Sequence, residues 1–322
     1  MALDVSALAV YTDQIEMGLA KEILLQANTI KGDIVSIRYG AIGDKTALNV
    51  VKSTMYGVTS ACGSFTDTGS TVMAQSLVQM CPIKFEQSIC LDTLKKYWYD
   101  YEMERKFNTE SLGKFEDVFV QNKLEATALE IDGILWRGAS TSPNYTQLSA
   151  TASTITGNRT LCDGFLQVAY TNSASTVNVT KSAITVSNAY GIVDSILASV
   201  STNAPEILDN FNLYLSPADF QSYLTSLRTL NLYNYNTQAE ATTDILHPGS
   251  IGMHVVRTNG LNGVASGTAI ATTKENIWAV VSAEEDLNFK MWFDLPADSL
   301  RLRAKIKIGT GYFQPELVVI VA

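Results

Sequence analysis

Basic charge is in short supply in this chain: 23 Lys and Arg stand against 32 Asp and Glu, for a net charge of −9. A protein whose main business is sequence-blind attraction to nucleic acid has the opposite balance, so that class is excluded, although local basic strips remain. Charge of either sign is scarce, at 17% of residues, while 46% are apolar. That balance excludes intrinsic disorder. It also leaves less polar surface than a lone soluble monomer carries, which predicts extensive subunit contacts. Long hydrophobic runs are missing too. The longest, Leu317–Ala322, is strand length, and none approaches the about 18 residues of a membrane span. No basic segment precedes an apolar run after Met1-Ala2-Leu3-Asp4, so no secretory signal and no membrane partner are expected.

Chemistry-bearing residues are equally sparse. The four cysteines, Cys62, Cys81, Cys90 and Cys162, form no CxxC pair and no metal-ligand rhythm; free thiols in a reducing cytosol are expected. There are two histidines, His247 before the Pro248-Gly249 turn and His254 in the apolar stretch Ile251–Val256. No GxSxG, HExxH, Walker A or GxGxxG is present, so neither catalysis nor a cofactor is expected. The acidic groups Glu125/Glu130/Asp132 and Glu284-Glu285-Asp286 could offer oxygen ligands to a cation, but read more simply as solvated or ion-paired carboxylates. No metal is expected.

What the chain does have is a sequence of well-patterned segments. An amphipathic helix is predicted near Ile15–Asn28, ended by the Gly32 turn. Val35, Ile37 and Tyr39 alternate with Ser36 and Arg38 over a strand at Asp33–Tyr39, and Thr46–Thr59 reads extended, with a loop at Gly57–Gly69. Residues 33–75 thus look like a long two-stranded projection. Ile83–Leu91 alternates again, and an aromatic helix with Tyr97, Trp98, Tyr99 and Tyr101 follows at Asp92–Glu104; at helical spacing, such rings are core or interface packing.

The clearest helix spans Glu110–Trp136, with Leu112, Phe115, Phe119, Leu124, Ala128, Ile131 and Leu135 at steps of three and four. At 1.5 Å per residue it would be about 40 Å long. Thr109 suits its start and Gly138 its end. Residues 138–180 carry only Arg159 and Asp163 as charges and read as a polar, loop-rich or β-rich insertion. A helix at Ser187–Val200 and a buried strand at Phe211–Leu215 follow, the strand running into Ser216-Pro217-Ala218-Asp219. There Ser216 is an N-cap, Pro217 occupies the first helical position, and the helix extends to about Arg228. The C-terminal part is strand-rich. Leu287–Phe293 alternates, and after Pro296 so does Leu300–Ile308, with Arg301, Arg303, Lys305 and Lys307 on its other face. A Gly309–Gly311 turn then leads to a last strand, Leu317–Val321.

This order, together with Leu129-Glu130-Ile131-Asp132-Gly133-Ile134-Leu135-Trp136-Arg137-Gly138, Asn212-Leu213-Tyr214-Leu215-Ser216-Pro217-Ala218 and the strands after Ile277-Trp278-Ala279-Val280, resembles the tailed-bacteriophage major capsid proteins. The resemblance implies an α+β class, with the Hong Kong 97-like capsid fold. Its parts would be an N-terminal arm (1–32), an extended E-loop hairpin (33–75), a P-domain (76–140 and 284–322) with a spine helix at 110–136, and an A-domain (141–283) that takes in the polar insertion. It implies a non-enzymatic major capsid protein that self-assembles as hexamers and pentamers into an icosahedral shell around double-stranded DNA, contacted non-specifically. Portal, scaffolding and cement proteins would be partners, and assembly would take place in the host bacterial cytoplasm. No long fused scaffolding segment is expected.

Inter-subunit contact is expected at Lys45 and Lys52 in the hairpin and along Arg301, Arg303, Lys305 and Lys307. Lys45 and Lys52 sit where some relatives cross-link covalently, but no matching asparagine is identifiable, and non-covalent assembly is expected. The basic strand face has two other readings: the wet side of an amphipathic strand, and contact with DNA. Two other functions stay open, an encapsulin-like nanocompartment shell and a hydrolase or sugar-binding protein using residues 138–180.

Overall fold

A computed structural model describes residues 27–57, 67–90, 92–93, 95–97, 115–140, 158–172, 177–180, 182–232, 244–282, 288–294 and 296–321. The expected helix at Ile15–Asn28 apart from its last two residues, the loop expected at Gly57–Gly69 apart from its ends, the start of the long helix, Trp98, Tyr99 and Tyr101, and Glu284-Glu285-Asp286 lie outside these residues.

The alternation in the C-terminal region builds the first sheet. Strand β11 (Ser299–Tyr312) buries Leu300, Leu302, Ala304, Ile306 and Ile308 on one face, as the period of two requires. It pairs antiparallel with β3 (Gly69–Cys90) from Ser299↔Cys90 to Gly309↔Met80. On its other edge it pairs first with β10 (Asn288–Asp294) and then with β9 (Ile277–Ser282). β1 (Ser36–Ala41) adds to β9 in parallel. The reading of residues 33–75 as one projection is therefore corrected at its start: the strand at 36–41 belongs to the body sheet, because Ile37 packs against the main core.

The predicted turn at Gly309–Gly311 is also corrected, since both glycines stay inside β11. The reason is a close crossing. A Cβ on Gly309 would lie 2.6 Å from the Gln79 carbonyl oxygen, and one on Gly311 2.5 Å from the Val78 side chain. Glycine is needed there for backbone approach, with no change of direction.

Against this sheet lies the long helix α2 (Phe115–Arg137), which follows the short α1 (Asn28–Lys31). Val120, Leu124, Ala128, Ile131, Ile134 and Leu135 are buried, and in the last two turns the burial wraps all round. Asp132 is buried there with a partner from α1. The Thr29 backbone N–H donates to Asp132 Oδ1 at 3.0 Å and its hydroxyl donates to the same oxygen, while accepting from Trp136 Nε1 at 2.8 Å. Burial holds the Asp132 carboxyl above the ordinary range, against the pull of the Thr29 donors and of Arg137.

The second half of the polar stretch 138–180 departs from the loop-rich or β-rich reading. Phe165–Thr171 is a helix, α3, with Phe165, Leu166 and Ala169 fully buried; the stretch lacks charge there because it is core. The expectation of free thiols is corrected for two cysteines. Cys81 on β3 and Cys162, just before α3, are joined in a disulfide with their Cα atoms 5.7 Å apart. They lie 81 residues apart in sequence, so only the fold brings them together. Cys90 is free and exposed.

A second sheet runs β4 (Val177–Val179), β12 (Val319–Val321), β8 (Ala269–Thr272), β5 (Phe211–Leu215), β7 (Met253–Arg257), β6 (Asp244–Leu246). Both its faces are covered. Phe211, Leu213, Leu215, Val319 and Val321 pack on α4 (Ala189–Asn203) and α5 (Pro217–Thr229), whereas Tyr214, Ile270 and Ile320 join the core around α2. That explains why the C-terminal run is apolar without alternation. The expected cap at the start of α5 is present, with Asp219 N donating to Ser216 Oγ at 3.2 Å. Asp219 does more than face the helix dipole: its carboxylate accepts from Ser266 Oγ at 2.7 Å and Gly267 N at 3.0 Å. The two sheets meet at Trp136, whose ring centroid lies 5.0 Å from Phe165 and 5.1 Å from Tyr214.

Replacing Thr29 with Val removes one donor to Asp132 Oδ1, the hydroxyl, and with it the acceptor of the Trp136 indole N–H, while the backbone donor to Asp132 stays. The expected loss is about 2–3 kcal/mol of stability, read as a lower urea midpoint at unchanged slope. An unchanged midpoint would show that the Thr29–Asp132–Trp136 contact contributes nothing.

Candidate functional site

β2 (Lys45–Met55) pairs with the first half of β3, from Lys45↔Gln79 to Met55↔Gly69. β3 is therefore shared: 22 residues, about 70 Å of extended chain, lie half in a hairpin and half in the body sheet. The hairpin has two unlike faces. On one, Leu48 and Val78 are buried against Met80 and Val280, with Trp278 and Phe313 packed beside them, and Val50 on the same face is buried. Ser76 Oγ donates to the Tyr312 carbonyl at 2.8 Å, and Lys52 pairs with Glu316. This face fastens the root of the hairpin to the end of β11.

Among the described residues nothing lies over the other face. Val51 and Met73 are cross-strand neighbours, 59% and 82% exposed, and Leu77 and Met55 lie on the same face at 64% and 86%. β2 is also the last strand of its sheet path, and among the described residues no further strand pairs with its outer edge. An exposed apolar row beside a strand edge is the general form of a surface that can take up another chain. The sequence reading marked the hairpin but not this face. The signal was apolar residues at Leu48 and Val50 as well as Val51 and Met55, which serves both sides of a two-stranded ribbon.

Six basic residues were expected to make inter-subunit contacts, and four have carboxylate partners within the chain. Besides Lys52, Arg301 lies 2.6 Å from Asp294, Arg303 2.7 Å from Glu86, and Lys307 2.9 Å from Asp44. The Arg303 guanidinium also sits 5.5 Å from the centroid of the Trp292 ring. Lys84 and then Arg303 hold the Glu86 carboxyl below its ordinary range, and the Lys307 hydrogen bond does the same for Asp44. Lys305 is exposed and stands in register with Lys84 and Asn288, and Lys45 is exposed opposite Gln79. The structure does not gather these six into one cluster. Lys45 and Lys52 lie on opposite faces of β2, and the other four follow the outer face of β11.

Among the described residues no group of three or more His, Cys, Asp or Glu is arranged to hold a metal ion, and no helix is long and apolar enough to cross a membrane. Asp132 is committed to Thr29, and Tyr97 is exposed. His247 is buried between Tyr190 and Tyr223, its ring stacked at 5.1 and 6.0 Å from theirs. Nδ1 is 2.7 Å from the Tyr223 hydroxyl, and Nε2 is 3.8 Å from Asp194 Oδ1. Ser250 closes the following turn by donating to the His247 carbonyl at 2.8 Å, so this hydroxyl is a turn-former and not a nucleophile aligned with the ring. Burial pushes the His247 pKa down, against Asp194, and pushes Tyr223 up, so both are held neutral. His254 lies 3.5 Å from Asp244.

Since the unfolded histidine titrates at about 6.5 and the folded one below it, the unfolded chain takes up the proton first as pH falls. Stability is therefore lost from about pH 6.5 downward. Urea midpoints measured from pH 7 to 5 are expected to fall, and the fall is expected to be shallower in His247→Gln. Parallel pH profiles for the two proteins would contradict this assignment.

No family profile and no curated protein matches the chain, but solved structures do. A chain of the procapsid of satellite phage P4, a structure that includes the size determination protein, matches over 94% of this chain and 97% of its own, with a TM-score of 0.58 at 12% identity. A virus-like particle from Pyrococcus furiosus matches over 97% and 99%, with a TM-score of 0.53 at 10% identity. The capsid of Myoviridae phage XM1 matches over 92% and 91%, with a TM-score of 0.53 at 9% identity. At these identities the likeness carries the fold, and the α+β expectation holds at that level.

Proposed function

From a chain with the Hong Kong 97-like fold of capsid proteins, we propose a shell-forming structural protein and no enzyme: a tailed-phage major capsid protein whose hexamers and pentamers close an icosahedral shell around double-stranded DNA. The observation that carries this reading is the hairpin with one face seated on its own body and the other, Val51, Met73, Leu77 and Met55, uncovered beside an open edge. In a fold whose solved examples include a procapsid and a capsid, another copy of the chain is the natural cover. Single contacts of this size are weak. Repeated around a closed ring they combine into a large avidity.

In this reading residues 1–32 act as an arm, 33–75 as the E-loop, 76–140 and 284–322 as the P-domain, and 141–283 as the A-domain. The pairing of β1 with β9, and of β9 with β11, argues for assigning 36–41 and 277–282 to the P-domain instead. The function is mechanical. α2 braces the body sheet, and the hairpin reaches the neighbour. Lys45 and Lys305, exposed and on the ribbon and strand faces, are the two of the six basic residues best placed for contacts between copies, and for sequence-blind contact with DNA where they face inward. Portal, scaffolding and cement proteins would be further partners, with assembly in the bacterial cytoplasm. A second reading, an encapsulin-like nanocompartment, draws on the match to the Pyrococcus furiosus virus-like particle over nearly the whole of both chains.

Val51→Lys combined with Met73→Glu puts an opposite-charge pair across the two strands, so the ribbon keeps its pairing. The expected result is a stability within about 0.5 kcal/mol of the parent and at least a tenfold loss of assembled particles by size-exclusion chromatography. Normal particle yield would remove this role of the hairpin face. Nuclease-protected DNA in the parent particles is expected for the phage shell, and protein cargo without DNA for the nanocompartment.

A further inference from the structure

We propose that Cys81 and Cys162 form a redox-dependent staple that locks the root of the hairpin to the end of the long helix. Cys81 stands at a mechanical junction. β3 pairs with β2 up to Gln79 and with β11 from Met80 onward, so Cys81 is the second residue on the body side of the crossing. Cys162 stands at another. The segment around it is held to the end of α2 by the Gly164 N–H donating to the Gly138 carbonyl at 2.8 Å, and by Asp163 Oδ1 accepting from Ser140 N and Oγ at 2.6 and 2.8 Å. It is held to β11 by Thr310 Oγ1 donating to the Asp163 carbonyl at 2.7 Å. The approach is close enough that a Cβ on Gly138 would lie 2.3 Å from the Cys162 carbonyl oxygen, and one on Gly164 2.7 Å from that of Ile134.

The thiol of Cys162 is thus placed by a rigid backbone contact, and its partner belongs to a strand that continues into the hairpin. Joining them ties the two together across an 81-residue separation that includes the whole of α2. Without the bond, the β3–β11 ladder still holds the fold, and the hairpin root is held by its hydrogen bonds, its small apolar cluster and the Lys52–Glu316 pair, with no covalent tie to the end of the long helix. Exchange has an entry point, because Cys81 is half-buried while Cys162 is buried. A small-molecule disulfide such as oxidised glutathione is attacked by the Cys81 thiolate, which releases one glutathione thiolate and leaves a mixed disulfide on Cys81. The Cys162 thiolate then attacks the Cys81 sulfur and expels the second glutathione thiolate. The two cysteine thiols give up two protons and two electrons, and the small disulfide is reduced to two thiols. Reductant in excess runs the sequence backward.

On the shell reading, which this consequence alone rests on, copies would assemble with a hinged hairpin in reducing surroundings and stiffen once oxidised. The chemistry is tested on unassembled full-length protein, and so stands or falls apart from that reading. Protein kept without reductant is denatured, alkylated with iodoacetamide and weighed intact. Two fewer adducts are expected than after treatment with dithiothreitol. In the native protein, dithiothreitol is expected to lower the melting temperature by about 5 °C and to speed amide exchange severalfold over residues 76–82. Cys81→Ser and Cys162→Ser should melt with the reduced parent and ignore the reductant, while Cys90→Ser should respond as the parent does. Equal alkylation with and without reductant would overturn the proposal. So would a reductant that frees both thiols yet leaves melting and exchange unchanged, a comparison that needs no variant to fold.

Discussion

The ladder between β11 and β3 is the constraint on which the rest of the structure depends. Its register, from Ser299↔Cys90 to Gly309↔Met80, turns the alternation of β11 into two surfaces. Leu300, Leu302, Ala304, Ile306 and Ile308 face the core below α2, and the cations between them face water and meet Asp294, Glu86 and Asp44. A slip by one residue would exchange the two surfaces, placing four charges in the core. The same ladder carries β3 past Gly309 and Gly311 and out into the hairpin. The body and the projection are therefore one continuous strand, and a force on the hairpin is delivered to the sheet under the long helix.

The second sheet is held to this frame by aromatic and polar contacts. Tyr214 of β5 packs on Trp136 of α2 and donates its hydroxyl to the Ile34 carbonyl at 3.0 Å, and Tyr312 of β11 donates to the Phe165 carbonyl at 2.9 Å. A Cβ on Gly260 would lie 2.1 Å from the Trp136 ring, so the junction has no spare room. Interiors packed this closely move as units. The polar triad of Thr29, Asp132 and Trp136 brings the segment before β1 to the same point. The segment before β1, the helix α2, the second sheet and strand β3 thus converge on one region of the core.

Much of this was legible where a single local rule decides. The period of β11, the steps of α2 and the Ser216-Pro217 cap are set within a few residues of chain, and the fold class followed from their order. What escaped depends on contacts distant in sequence. Cys81 and Cys162 carry no motif, because neither is near the other until β3 and the segment before α3 are both laid beside β11. Phe165–Thr171 sits in a stretch whose Ser, Thr and Asn content speaks for loops, and only its burial shows it to be core. Strand β1 looked like the start of the hairpin because adjacency in sequence is the best local guide to pairing, yet its partner is Ile277–Ser282. The candidate surface was half legible: its cations were visible as a pattern, but which of them are spent on Asp294, Glu86, Asp44 and Glu316 within the chain was not.

Two unlike hairpin faces, one seated on the chain's own body and one uncovered among the described residues, are what the proposed assembly rests on. Sedimentation velocity of the purified full-length chain over a range of concentrations addresses this most directly. The account predicts that the 35.0 kDa species gives way to particles many times heavier as concentration rises. A single 35.0 kDa species at every concentration would contradict it.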